Sequence, residues 1–192
     1  MIDYFALLQQ PRRPWLDAEE LKQKYHQLAA EAHPDRQSID SKNSNMDFAR
    51  LNDAYRVLLN PKLRLHHLLS LEGMSLAGDK DVPDKLGDLF AQTGTFIHEV
   101  DRLLKETKEA NSALSKSLLQ SEILEKQSRT KDLLDRLNML YQGALQELQA
   151  LDRIWSGDRQ QVLSAMRDMY QRLAYLTRWI SQIEERQFQL SI

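Results

Sequence analysis

Apolar residues recur along most of this chain at intervals of three and four, the spacing of one face of a helix. Leu21, Tyr25, Leu28, Ala29 and Ala32 form one such face, with Lys22, Gln23, His26, Gln27 and Ala30 outward. The stretch Phe48 to Leu58 forms a second, able to pack antiparallel on the first, and predicts a helix from about Met46 to Leu59. Asp3-Tyr4-Phe5-Ala6-Leu7-Leu8 predicts a short turn of helix before both. Leu63, Leu68, Leu69 and Leu71 mark a fourth helix, and Leu86 to Leu104 a fifth that runs from about Val82 to Lys108. Further on, Leu133, Leu137, Leu140, Ala144, Leu148, Leu151 and Trp155 repeat at fours and threes, as do Val162, Met166, Met169, Leu173, Leu176, Ile180 and Ile183. These predict two long antiparallel helices. No strand alternation interrupts the pattern.

Polar residues punctuate it. Asp17 with Glu20 three positions on reads as a capping box, with Leu16 and Leu21 placed as a hydrophobic staple. Asn60-Pro61 reads as a helix start. Residues 37 to 45 read as a polar loop, and Ser156-Gly157-Asp158 as the turn between the long helices. Pro34 disfavours helical backbone at His33, so the helix that begins near Asp17 should stop there and leave Ala32-His33-Pro34-Asp35-Arg36 as a charged surface corner. The stretch from Gly73 through Asp81, with two glycines and little bulk, places a domain boundary, giving residues 1–76 and 77–192. The fold class is all-α: a helical hairpin with flanking short helices, then a three-helix bundle with a long coiled-coil-like hairpin. Trp179, Tyr175 and Phe188 fall off the tidy stripe and are candidates for an exposed contact or a seam.

Composition narrows the function. Lys plus Arg against Asp plus Glu is 10 to 10 in residues 1–76 and 16 to 18 in the rest. Neither part has the basic excess of a nucleic-acid binder. No apolar run approaches the roughly 20 residues that cross a bilayer, and no signal-peptide pattern opens the chain, so a soluble cytoplasmic protein is expected. There is no cysteine, which removes disulfides, thiolate metal sites and cysteine nucleophiles together. The histidines at 26, 33, 66, 67 and 98 include no His-x-x-x-His pair, and adjacent His66 and His67 point about 100° apart on a helix. No metal site, cofactor or catalytic constellation is expected. The chain offers surfaces rather than chemistry.

With its flanking faces, the corner at His33-Pro34-Asp35 resembles a J-domain, the module by which DnaJ-type co-chaperones act on DnaK-type chaperone ATPases. The resemblance covers roughly residues 2 to 72. It implies a chaperone-binding set of His33, Pro34, Asp35 and Arg36, joined by Lys22, Lys24 and His26, that docks on the ATPase and accelerates its hydrolysis. Asp35 on a rigid turn can make a charge-assisted hydrogen bond to a partner arginine, while Lys22, Lys24 and Arg36 supply steering potential. Most J-domains carry several basic residues before the corner. Here His26, Gln27, Glu31 and Ala32 stand in that segment, which implies weaker stimulation or tuning to one partner.

The order of J-domain then helical bundle is similar to the HscB family of iron-sulfur cluster co-chaperones, also called Jac. Asp3-Tyr4-Phe5-x-Leu7-Leu8, Leu51-Asn52-x-Ala54-Tyr55 and Asn60-Pro61-x-x-Arg64-x-x-x-Leu68-Leu69-x-Leu71-x-Gly73 carry that resemblance. It implies a DnaK/HscA-type chaperone as partner and an iron-sulfur scaffold protein as client, bound through the bundle's first helix. Leu86, Leu89, Phe90 and Glu99 are the corresponding client-contact candidates, although the family's acidic run is not recognisable there. Two alternatives stay open: a J-domain co-chaperone for another client, and a coiled-coil adaptor or homodimer whose J-like region only docks.

Overall fold

The computed structural model of the protein describes residues 1–31, 41–74, 76, 86–155 and 159–191. Among these residues there is no strand. The helices are α1 (Tyr4–Leu7), α2 (Ala18–Glu31), α3 (Ser41–Leu59), α4 (Pro61–Leu71), α5 (Gly87–Glu109), α6 (Ala113–Arg153) and α7 (Arg159–Leu190). They form two compact units, Met1–Asp79 with Leu145–Tyr170 and Lys80–Ala144 with Gln171–Ile192. Packing thus groups residues 145–170 with the N-terminal segment, which a division along the chain at residue 76 does not.

In the first unit the helix starts are set by side chains that satisfy the first free backbone donors. Asp3 accepts from the Phe5 and Ala6 N–H groups, Asp17 from those of Glu19 and Glu20, and Asn60 from that of Leu63, with Pro61 in the first turn. Each such cap contributes about 0.5–2 kcal/mol. Gly73 takes φ +79°. There it ends α4 in a left-handed cap, with the Met74 N–H on the Leu69 carbonyl and the Gly73 N–H on that of Ser70. α3 packs on α1, α2 and α4. Phe5, Leu21, Leu58, Leu65 and Leu68 are fully or nearly fully buried in this core.

α3 begins at Ser41, so the second half of the expected polar loop is helical. Extending an existing helix adds one bond per residue without a new nucleus, which lets Ser, Lys and Asn join a helix whose apolar face lies downstream. Residues 37–40 lie outside the described residues.

The connection from α1 to α2, Pro11-Arg12-Arg13-Pro14-Trp15, has no regular structure and is gripped from two sides within this unit. From α4, Arg64 is buried and donates Nε to the Pro14 carbonyl at 2.8 Å and Nη1 to the Leu58 carbonyl at 2.6 Å. Its guanidinium also lies over the Trp15 ring, 5.8 Å from the centroid. From the far end of α6, Asp152 takes both Nε and Nη2 of Arg13 and the Trp15 N–H. Just beyond it, Trp155 donates Nε1 to the Arg12 carbonyl at 2.8 Å. Leu148, Val162, Met166 and Met169 are buried in the same unit.

The second unit is a three-helix bundle of α5 with parts of α6 and α7. Leu89, Phe96, Val100 and Leu103 of α5 share its core with Leu134, Leu137 and Ala144 of α6 and Leu173, Leu176, Trp179 and Ile183 of α7. Each helix pair also carries a polar tie: Lys126 with Glu99, Arg186 with Asp101, and Gln127 with the Leu190 carbonyl. α5 begins at Gly87, while Val82 to Lys85 lie outside the described residues, as does the Ser156-Gly157-Asp158 turn. Two expectations are corrected here. Trp179 is 4% exposed and belongs to the core, whereas Leu140 is 37% exposed. A three-helix bundle demands a wider apolar face than a two-helix seam, and on α7 the indole fills that extra width.

Candidate functional site

α2 presents the expected faces. Leu21 is buried, Tyr25, Leu28 and Ala29 are half-buried, and Lys22, Gln23, His26 and Gln27 are exposed. Its register against α3 is set by Tyr25, whose ring stacks on Tyr55 at 4.3 Å with the planes 17° apart, and whose hydroxyl donates to the Asn52 side chain. Lys24 turns its ammonium to Gln27 Oε1 at 3.4 Å, and Gln27 in turn donates to Glu31. Lys22 and His26 stand exposed on the same helix. The corner itself, His33, Pro34, Asp35 and Arg36, lies outside the described residues.

α1 and α4 close the other side of this unit. His67 is buried and accepts the Tyr4 N–H on Nε2 at 3.0 Å, with its ring 4.6 Å from Tyr4 and 5.7 Å from Phe5. Burial pushes its imidazole below the usual histidine range, more than the nearby Asp3 carboxylate restores. For Asp3 burial acts to raise the carboxyl. The hydrogen bond from Arg12 and those from Ala6 and Phe5 outweigh it, and the group is held below its ordinary value. His67 is therefore a packing residue, and among the described residues no group of side chains could hold a metal ion.

The four client-contact candidates do not form one surface. Leu86 and Leu89 are each 4% exposed and face the bundle core. Phe90 is half exposed, its ring 6.2 Å from Trp179 of α7. Glu99, nine positions further and about 180° around the helix, points instead toward α6, where Lys126 Nζ reaches it at 2.6 Å and Arg129 at 3.4 Å. The Lys126 hydrogen bond, only partly opposed by burial, holds its carboxyl below the ordinary range. Here α5 and α6 enclose a groove of about 540 Å³ lined by Gln92, Phe96, Glu99, Arg129, Asp132 and Arg136. Lys126 and Arg129 lie over the Phe96 ring at 5.9 and 5.2 Å, a cation–π arrangement. Sequence reasoning missed this cluster. Its one signal was Lys126, seven residues before Leu133 and so in register with the apolar stripe.

Residues 3–67 match the family model described as the DnaJ domain. The matched segment runs from α1 into α4. Over 114 residues the chain is 32% identical to the co-chaperone protein HscB of Proteus mirabilis (strain HI4320), a match covering 57% of this chain and 65% of that protein. It is 37% identical over 115 residues to the co-chaperone protein HscB homolog of Azoarcus sp. (strain BH72), covering 58% and 60%. The chain is thus similar to these two proteins, and spans a little under two thirds of their length. The crystal structure of human co-chaperone protein HscB matches with TM-score 0.52 at 20% identity, over 96% of this chain and 82% of that one. Chaperone HscB from Vibrio cholerae matches with TM-score 0.55 at 19% identity, over 98% and 99%. Both share its all-helical fold.

Proposed function

We propose that this protein is a co-chaperone that docks on a DnaK/HscA-type chaperone ATPase, stimulates its ATP hydrolysis, and delivers an iron-sulfur scaffold protein to it as client. The observation that carries this reading is the DnaJ-domain match over residues 3–67, which includes the corner and the two helices that Tyr25 holds in register. In this reading the protein acts in the cytoplasm and catalyses nothing itself. It regulates the partner's hydrolysis, and hydrolysis then traps the client.

The docking surface is His33, Pro34, Asp35 and Arg36, with Lys22, Lys24 and His26 on α2. Encounter is steered by the lysines, and docking is fixed by Asp35, whose carboxylate reaches a partner arginine through a charge-assisted hydrogen bond. Residues 1–76 serve as the docking module and 77–192 as the client arm. On that arm Phe90 offers an exposed apolar contact and, on the opposite flank of α5, Glu99 a charged one, while Leu86 and Leu89 lie in the core.

The test is the ATPase rate of a DnaK-type chaperone from the same organism, measured with the full chain and with Asp35→Asn. Stimulation by the parent, lost at least about tenfold in the variant, equivalent to ~1.4 kcal/mol, is expected. Unchanged stimulation by Asp35→Asn would reject the docking role. For the client, titration calorimetry with the iron-sulfur scaffold protein should give saturable binding weakened by Phe90→Ala. Leu89→Ala is a poor probe because it opens the core.

A further inference from the structure

We propose that Asp152, at the far end of α6, is a positioning residue for chaperone docking, acting through the Arg12–Trp15 connection to fix the direction of α2. The inference rests on the co-chaperone reading above.

The connection needs an external hold. Pro11 and Pro14 have no N–H to give, and the segment lies in no helix, so its position depends on what its remaining polar groups meet. Arg64 holds Pro14 and Trp15 from α4. Asp152 supplies the opposing hold: 8% exposed, it satisfies the Arg13 guanidinium through two nitrogens and the Trp15 N–H at 3.1 Å. Trp155 adds a bond to the Arg12 carbonyl. Three of the five connection residues, Arg12, Arg13 and Trp15, are thus bonded to two residues that lie 137 to 143 positions away.

Little slack separates this hold from the docking helix. Leu16 is 7% exposed, Asp17 is the cap, and α2 starts at Ala18. α2 has 14 residues and so is about 21 Å long; a tilt of about 10° at its start moves its far end by about 4 Å. That displacement exceeds the tolerance of a hydrogen bond at a docked surface. The far end of α6 therefore sets where Lys22 and His26 are presented.

Asp152→Asn keeps the shape and an oxygen for the Trp15 N–H while removing the charge that binds Arg13. In the full chain, with helix content checked by circular dichroism, the variant should raise the concentration for half-maximal ATPase stimulation about fivefold to tenfold, within the net worth of one ordinary hydrogen bond. Maximal stimulation should be unchanged. Arg13→Gln should behave alike, and the double variant should be no worse than either, since both remove one interaction. A merely structural tie would speed amide exchange at Trp15 in both variants and leave the dose response where it was. That result overturns the proposal. If Asp152→Asn fails to fold, Trp155→Phe deletes the indole bond to the Arg12 carbonyl and should shift the half-maximal concentration about twofold to threefold, the low end of one hydrogen bond's net worth; no shift would sink the idea. A parent chain that stimulates at no concentration removes the co-chaperone reading and this inference together, whereas a stimulating parent with unshifted variants removes this inference alone.

Discussion

Tyr25 and Tyr55 stack across α2 and α3 with centroids 4.3 Å apart, and the Tyr25 hydroxyl bonds Asn52 one turn away on α3. The pair and the bond together fix both spacing and register. Tyr25→Phe should cost about 0.5–1.5 kcal/mol, the net worth of one hydrogen bond. A double-mutant cycle of Tyr25→Ala with Tyr55→Ala should give a coupling of about 0.5–1.5 kcal/mol from ring stacking. Urea denaturation measures both.

His67 should make the protein acid-sensitive. Its folded-state pKa lies below the ordinary value because the ring is buried, so below pH about 6.5 the unfolded chain takes up a proton that the folded one resists. The stabilisation by neutral His67 is fully present above that pH. It falls as pH drops toward the folded-state pKa, with a slope of at most about 1.4 kcal/mol per pH unit for one proton. His67→Gln supplies an acceptor for Tyr4 that does not titrate, and should flatten the urea-midpoint profile between pH 7.5 and 5.

Arg64 is a buried cation bonded to two backbone carbonyls. Arg64→Met keeps most of the bulk but strands those carbonyls, so a loss of about 2–4 kcal/mol is expected. Arg64→Lys should recover only part of it, since one ammonium cannot reproduce the planar fork. Thermal melts of the three proteins decide this.

Lys126 and Glu99 should respond unequally. The Lys126 side chain is 7% exposed and that of Glu99 32%, so Glu99→Gln leaves a buried cation short of its partner and should cost about 1–3 kcal/mol. Lys126→Met leaves the partly exposed Glu99 to Arg129 and water and sets an apolar chain beside Phe96, for a change within about 1 kcal/mol. Because the Glu99 carboxyl is held below its ordinary value, its contribution is present above that value and is lost as pH falls through the lowered one. Glu99→Gln should remove that part of the acid limb.

Gln9 sits in the left-handed region at φ 52°, closing α1 with bonds from Gln9 N–H to Ala6 and Gln10 N–H to Phe5. Gln9→Gly should relieve that conformation and stabilise by about 0.5–1 kcal/mol, after glycine's greater entropy loss. A rise in melting temperature would show it.

What the sequence disclosed was local. Asp3, Asp17 and Asn60 cap the helices that their positions suggested, and Leu137, Ala144, Leu148 and Met166 lie on the stripes that their spacing drew. These signals act within a turn or two of chain. Trp179 and Ile180 were ambiguous because steps of three and four allow either to face inward, and only the third helix decides. The client-arm candidates dispersed for a related reason: helix phase, set by a start at Gly87, turns Leu89 inward and sends Phe90 and Glu99 to opposite flanks. Asp152 with Arg13 had no local signature at all, being an exposed-looking acid and a basic residue between prolines, 139 positions apart.

That separation bears on how the molecule is made. Synthesis proceeds from the N-terminus at about 5–20 residues per second, so roughly 7–30 s pass between the appearance of Arg13 and that of Asp152. α1 to α4 can collapse early through near-neighbour contacts, but the Arg12–Trp15 connection waits, unclosed, until the two long helices have emerged and turned back. Closing that loop gives the N-terminal unit a late step that its own first 79 residues cannot complete. A nascent chain arrested before Asp152 should accordingly be cut by protease between Pro11 and Leu16, and one arrested well beyond Tyr170 should resist.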